Sequence, residues 1–204
     1  MVTGSKAKIL ETAKELFYRN GYLATSVDDI IELAKVSKSN FYYHFKSKED
    51  LGLAVLQNRC HEFNEGIECS LLNDELRPVD RLRSFFALVA ETREAKTSGG
   101  CPFGNLVAEM SEHSERFRKQ LSDMFASLAG VIADVVEDGQ KLGEIRSDIE
   151  PCEVSGLMVQ TLQGAQLMLK CHRSREGYTK TVSVLMRLIE PHDEGGLVTT
   201  AGVQ

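Results

Sequence analysis

Between Ser26 and Leu51 the chain reads SVDDIIELAKVSKSNFYYHFKSKEDL, and three helix-start signals fall inside that stretch. Ser26 stands just before Val27, Ile30, Ile31 and Ala34, which recur at helical spacing, and Asp29 follows three residues after it. A hydroxyl there can accept a backbone N–H of the first turn, and a carboxylate suits the positive end of the helix. Ser37 can cap a second helix from Lys38, with Phe41 and Phe45 on its inner face. Ser47 with Asp50 opens a third helix toward Leu51, Val55 and Leu56. The spacing predicts two short helices joined by a tight turn at Lys35, followed at once by the start of a third.

With Phe41 and Phe45 inward, Lys38, Ser39, Asn40, Tyr42, Tyr43 and His44 must project elsewhere. Long or polar donors on a short exposed helix have the chemistry to touch phosphates and base edges. Ser26 and Lys48 belong to the same candidate DNA-binding set, Lys48 toward phosphate. The competing reading of Tyr42, Tyr43 and His44 is a packed aromatic cluster, since aromatic stripes on helices are usually core.

This stretch resembles the DNA-binding head of the TetR family of bacterial transcriptional regulators. The matching residues are FYRNGY from Phe17, TSVDDI from Thr25 and VSKSNFYYHFKSKEDL from Val36 to Leu51, within a likeness that begins near Ile9. The family commonly has Gly where this chain has Lys35. A left-handed backbone there costs a non-Gly residue roughly 1 kcal/mol. The resemblance implies a head whose third helix enters the major groove of double-stranded DNA. It also implies a homodimer on a palindromic operator and a body that answers a small-molecule effector.

Four prolines and long helical periodicities predict an all-α fold. Its expected parts are an N-terminal three-helix helix-turn-helix head, residues 1–47, and a helical ligand-binding and dimerisation body, residues 48–190. A Gly-rich polar tail, residues 191–204, is expected to be disordered. The net charge of −6 argues against a protein that coats nucleic acid. Residues 1–60 carry nine Lys/Arg against seven Asp/Glu, so a mildly basic head precedes an acidic remainder, as a small DNA footprint requires. No signal peptide or membrane-spanning run is present, and the five Cys lack zinc-site spacing, so a cytoplasmic protein is expected. Cys60-His61 and Cys171-His172 are sequence neighbours that face apart on a helix, and no metal or cofactor is expected.

In the body, GGCPFGNLVAEM at 99–110 places Pro102 in the first turn of a short helix with Cys101 at its mouth. Lys96 to Gly100 before it reads as a loop. The segment resembles a Gly-Cys-x-x-Gly-Asn-Leu motif of some TetR-type regulators, a few of which sense electrophiles through Cys. Cys101 is therefore either a sensor or a small apolar residue packed at a helix start. A long helix is expected over 112–140. Another runs from Pro151 to about Cys171, apolar nearly all the way round and therefore buried on more than one side. By the resemblance, the last two helices form a four-helix dimer interface, with Gly164, Met168 and Leu185 among its residues. Phe86, Phe103, Leu106, Phe125, Leu128 and Met158 are candidate lining for an apolar pocket, with Asn105 and Thr161 as donors and Cys101 at the rim. The alternative is that they fill the core without a cavity. The function expected is a ligand-responsive repressor released by a small apolar ligand or an electrophile. An activator, or a regulator without a ligand, stays open. An enzyme with an accessory head lacks a convergent acid–base set.

Overall fold

The computed structural model describes residues 4–94 and 100–191, and every regular element among them is an α-helix. Residues 96–99 of the loop expected at 96–100, and residues 192–204 of the tail expected at 191–204, lie outside the described residues. The helices are α1 (Ser5–Asn20), α2 (Val27–Ala34), α3 (Lys38–His44), α4 (Lys48–Cys69), α5 (Pro78–Glu94), α6 (Pro102–Met110), α7 (Glu115–Lys141), α8 (Pro151–His172) and α9 (Arg175–Leu188).

The three serine caps form. The Ser26 hydroxyl accepts the Asp29 N–H at 3.0 Å, and the Asp29 carboxylate accepts the Ser26 N–H at 2.7 Å. Those bonds hold the Asp29 carboxyl below the usual carboxylate range. Ser37 accepts from the Asn40 N–H and Ser47 from the Asp50 N–H. Between α2 and α3 the backbone at Lys35 is left-handed, φ 54° and ψ 49°, so the turn keeps its shape without glycine. A fourth cap moves one boundary. Ser114 accepts the Phe117 N–H, so α7 starts at Glu115 rather than Glu112. Helix α4 continues past Gly66 to Cys69. At Gly66 a Cβ would stand 3.0 Å from a Leu88 methyl, so the missing side chain lets α5 approach.

Two hydrophobic clusters organise the molecule. One gathers α5, α7, α8 and α9 around Phe85, Phe86, Leu128, Ile132, Met158 and Leu162. The other starts under the helix-turn-helix with Ile9, Phe17, Ile30, Phe41 and Phe45. It does not stop at residue 47: Leu51 to Leu56 of α4, Phe103 to Met110 of α6, and Phe117 and Leu121 of α7 complete it. Phe63 packs against both, with its ring 6.1 Å from Phe85 and 5.4 Å from Phe103.

Gly52 sits where α4 meets Tyr22 and Phe117, whose rings lie 5.3 Å apart. A Cβ at that position would come within 2.6 Å of the Tyr22 ring and 2.7 Å of the Phe117 ring. Gly52→Ala is expected to destabilise the protein by about 1–3 kcal/mol through overpacking, despite alanine's better helix propensity. Urea unfolding measures it, and a midpoint at or above the parent's would show that the rings can move aside without cost.

Candidate nucleic-acid interface

Helix α3 is pinned from beneath. Phe41 and Phe45 are buried with ring centroids 6.2 Å apart. One residue's step along a helix turns a side chain about 100°, so Tyr42 and Tyr43 emerge on the other side. They are 41% and 78% exposed, which removes the packed-cluster reading for Tyr43. Its ring meets the half-buried His44 edge-on at 4.9 Å. Lys38 is exposed at the start of α3, with Nζ 3.4 Å from Asp28. Such a pair in solvent contributes little and is easily exchanged for a phosphate. Ser39 shares a hydroxyl contact with Ser37 at 3.0 Å. Asn40 is half-buried with Oδ1 turned inward, so Tyr42 reaches further toward solvent than Asn40 does.

Two features escaped the sequence reading. Lys46 follows α3, is exposed, and holds Nζ 3.5 Å from the Tyr42 carbonyl, which adds a cation beside the helix. Its signal was present in the stretch already singled out, as a lysine directly after the inward Phe45. Lys48 is partly enclosed. Its Nζ donates to the Leu23 carbonyl at 3.4 Å and stands 4.4 Å from the Tyr22 ring centroid. Burial lowers its pKa, while the charges of Glu109 and Asp29 oppose that shift. Burial, helped by Glu49, pushes the Tyr22 phenol up to about 12 and keeps it neutral.

The candidate pocket residues fall in two hydrophobic clusters. Phe86, Leu128 and Met158 belong to the body cluster, whereas Cys101, Phe103 and Leu106 belong to the cluster beneath the head, with Phe125 against it. Thr161 is half-buried, and Asn105 accepts from Lys170 Nζ at 3.3 Å. Cys101 is buried at the mouth of α6, where its carbonyl accepts the Asn105 N–H at 2.8 Å. A cleft of about 320 Å³ lies elsewhere, between the end of α8 and the start of α9. Of the three expected interface residues, Gly164 is open and Met168 exposed, but Leu185 is 3% exposed inside the body cluster. That corrects its assignment: the outward residues of α9 are its neighbours Val184 and Leu188. Among the described residues no cluster of three His, Cys, Asp or Glu could hold a metal ion, and no helix is long and apolar enough to cross a membrane.

A capped helix-turn-helix with lysines and tyrosines outward, set on an all-helical body, defines a DNA-binding transcriptional regulator. The chain belongs to the TetR family of bacterial regulatory proteins. Residues 9–55 match the family's N-terminal model, and residues 78–185 match the tetracyclin repressor-like C-terminal domain. The HTH-type transcriptional repressor DhaR of Mycobacterium sp. (strain GP1) is 31% identical over 192 residues, covering 94% of this chain and 96% of that protein. The regulator QacR of Staphylococcus aureus is 57% identical over 51 residues, 25% of this chain and 27% of its own. A crystal structure of regulatory protein TetR from Rhodobacter sphaeroides superposes with a TM-score of 0.84 at 26% identity, covering 89% of this chain and 97% of that one.

Lys38→Ala and Lys46→Ala are each expected to weaken binding to all duplexes alike and to lower the salt slope by about 1. Tyr42→Ala should instead reduce discrimination between sequences. Gel-shift titrations over a salt series distinguish these effects, and parental behaviour in all three variants would take α3 out of the interface.

Proposed function

We propose that the protein is a homodimeric repressor that holds a palindromic operator until a small apolar or electrophilic effector releases it. The observation that carries the reading is an open apolar face on α8 and α9. Leu157, Leu167, Met168, Val184 and Leu188 are all exposed there, around glycines 156, 164 and 177, where an added Cβ would meet nothing within 4 Å. Exposed apolar side chains grouped around bare backbone suit close packing against a second copy of the same face. Two copies joined there present two α3 helices, and a two-fold protein reads half-sites about 34–36 Å apart or a multiple of that. The similarity to a protein named a repressor supports repression over activation.

For the effector, the reading rests on α6. Its buried residues Cys101, Phe103, Leu106 and Met110 share a core with the residues beneath α3, so a guest or adduct that shifts α6 disturbs the head directly. An effector acts only through its different affinity for the bound and released states.

Gly164→Glu is expected to separate the subunits, because an unpaired charge would be buried at the closest approach. Sedimentation velocity should show a dimer for the parent and a monomer for the variant, together with loss of the two-fold footprint on a selected duplex. A parent that sediments as a monomer at micromolar concentration would end this reading. If the effector is an electrophile, mild alkylation releases the duplex from the parent, and Cys101→Ser abolishes that release while binding persists.

A further inference from the structure

Glu109 stands one residue before the end of α6, and its carboxylate leaves the body for the head. Oε2 accepts the Leu23 backbone N–H at 2.8 Å. The carbonyl of the same Leu23 accepts from Lys48 Nζ at 3.4 Å. One residue of the α1–α2 turn is thus held at its N–H by the body and at its carbonyl by the candidate phosphate-contacting lysine. Gly21 makes room for the arrangement. Its backbone has φ 92°, and a Cβ there would stand 2.9 Å from Glu109 Oε1. The Tyr22 ring lies beside the Lys48 ammonium and packs against Phe17 and Phe117, so the turn is fixed from beneath as well.

A lysine is a flexible cation, and one already held in place loses less freedom when it meets a phosphate. We propose that Glu109 is a positioning residue for duplex binding: through Leu23 it fixes the α1–α2 turn and the Lys48 ammonium, so that α6 sets the strength of one phosphate contact. The proposal rests on the operator-binding role given above and names the body residue through which that role is regulated. It also gives α6 a route to the head in addition to their shared core.

The test uses the full-length protein and a duplex selected by the parent from random sequence. Affinity is measured over a salt series for Lys48→Ala, Glu109→Ala, Glu109→Gln and the double alanine variant. Glu109→Ala should weaken binding about tenfold, as expected for one hydrogen bond to a charged group, and lower the salt slope by about 1. The double variant should bind no worse than Lys48→Ala, because both changes remove one contact. Glu109→Gln keeps an acceptor oxygen for Leu23 and should restore affinity and slope. Parental binding by Glu109→Ala, additive losses, or failure of the glutamine variant to restore binding would each overturn the proposal. If the alanine variant does not fold, amide exchange on the parent decides. Adding the duplex must slow exchange at Leu23, and an unchanged rate overturns the proposal. A parent that selects no duplex would instead refute the operator-binding role itself.

Discussion

Three short helices cannot close a core by themselves, because so small a unit buries too little apolar surface to offset the ordering of its chain. In this protein the deficit is met from outside the helix-turn-helix. Leu51 to Leu56 of α4, Phe103 to Met110 of α6, and Phe117 and Leu121 of α7 complete the cluster around Phe41. The same side chains that make the DNA-facing unit rigid therefore belong to the body. A separate head on a flexible tether would have been free to reorient without the body's involvement. Here the interior is continuous through Phe63, and a change of packing on one side is felt on the other.

Polar contacts across this junction repeat the pattern at the surface. Ser114 donates to Glu49 at 2.5 Å, and Arg116 donates to Asp50 at 3.2 Å. The Arg116 bond, with one from Ser47, holds the Asp50 carboxyl below its ordinary range. On the other flank, Arg59 donates to the Lys14 carbonyl at 3.0 Å, and Lys14 pairs with Glu62, tying α1 to α4. The exposed Arg116–Asp50 pair stabilises little by itself. The contribution of these contacts lies in direction: they fix how α4 and α7 meet the turn and caps from which α2 and α3 start.

What was legible in the sequence was what is local. Ser26, Ser37 and Ser47 announce helices through bonds made within three residues, and Phe41 with Phe45 fixes which side of α3 faces inward. Those patterns survive folding because they do not depend on a distant partner. The apolar circumference of α8 divides into a core face with Met158 and Leu162 and an exposed face with Leu157, Leu167 and Met168, but on α9 the single-sequence pattern did not separate Leu185, in the core, from Val184 and Leu188, outside it. The candidate pocket residues divide between two clusters for a related reason. Each points inward on its own helix, but which of two clusters it joins is set by tertiary packing. Glu109 carried no signal at all. A carboxylate near a short helix's end is ordinary until Leu23, from far away in the chain, is brought to it.

Gly52 determines which motions α4 can make. The absent side chain is a slot, closed on one side by Tyr22 and on the other by Phe117, and the helix is keyed into it. Spinning α4 about its axis by one residue would drive Leu51 or Leu53 into space that does not admit a single methyl. Tilting about that point, or sliding slightly along the axis, leaves the glycine facing the two rings. Of the rigid-body freedoms open to a 22-residue helix about 33 Å long, rotation is thereby locked. Whatever passes along α4 between the two clusters must travel as a change of angle or position.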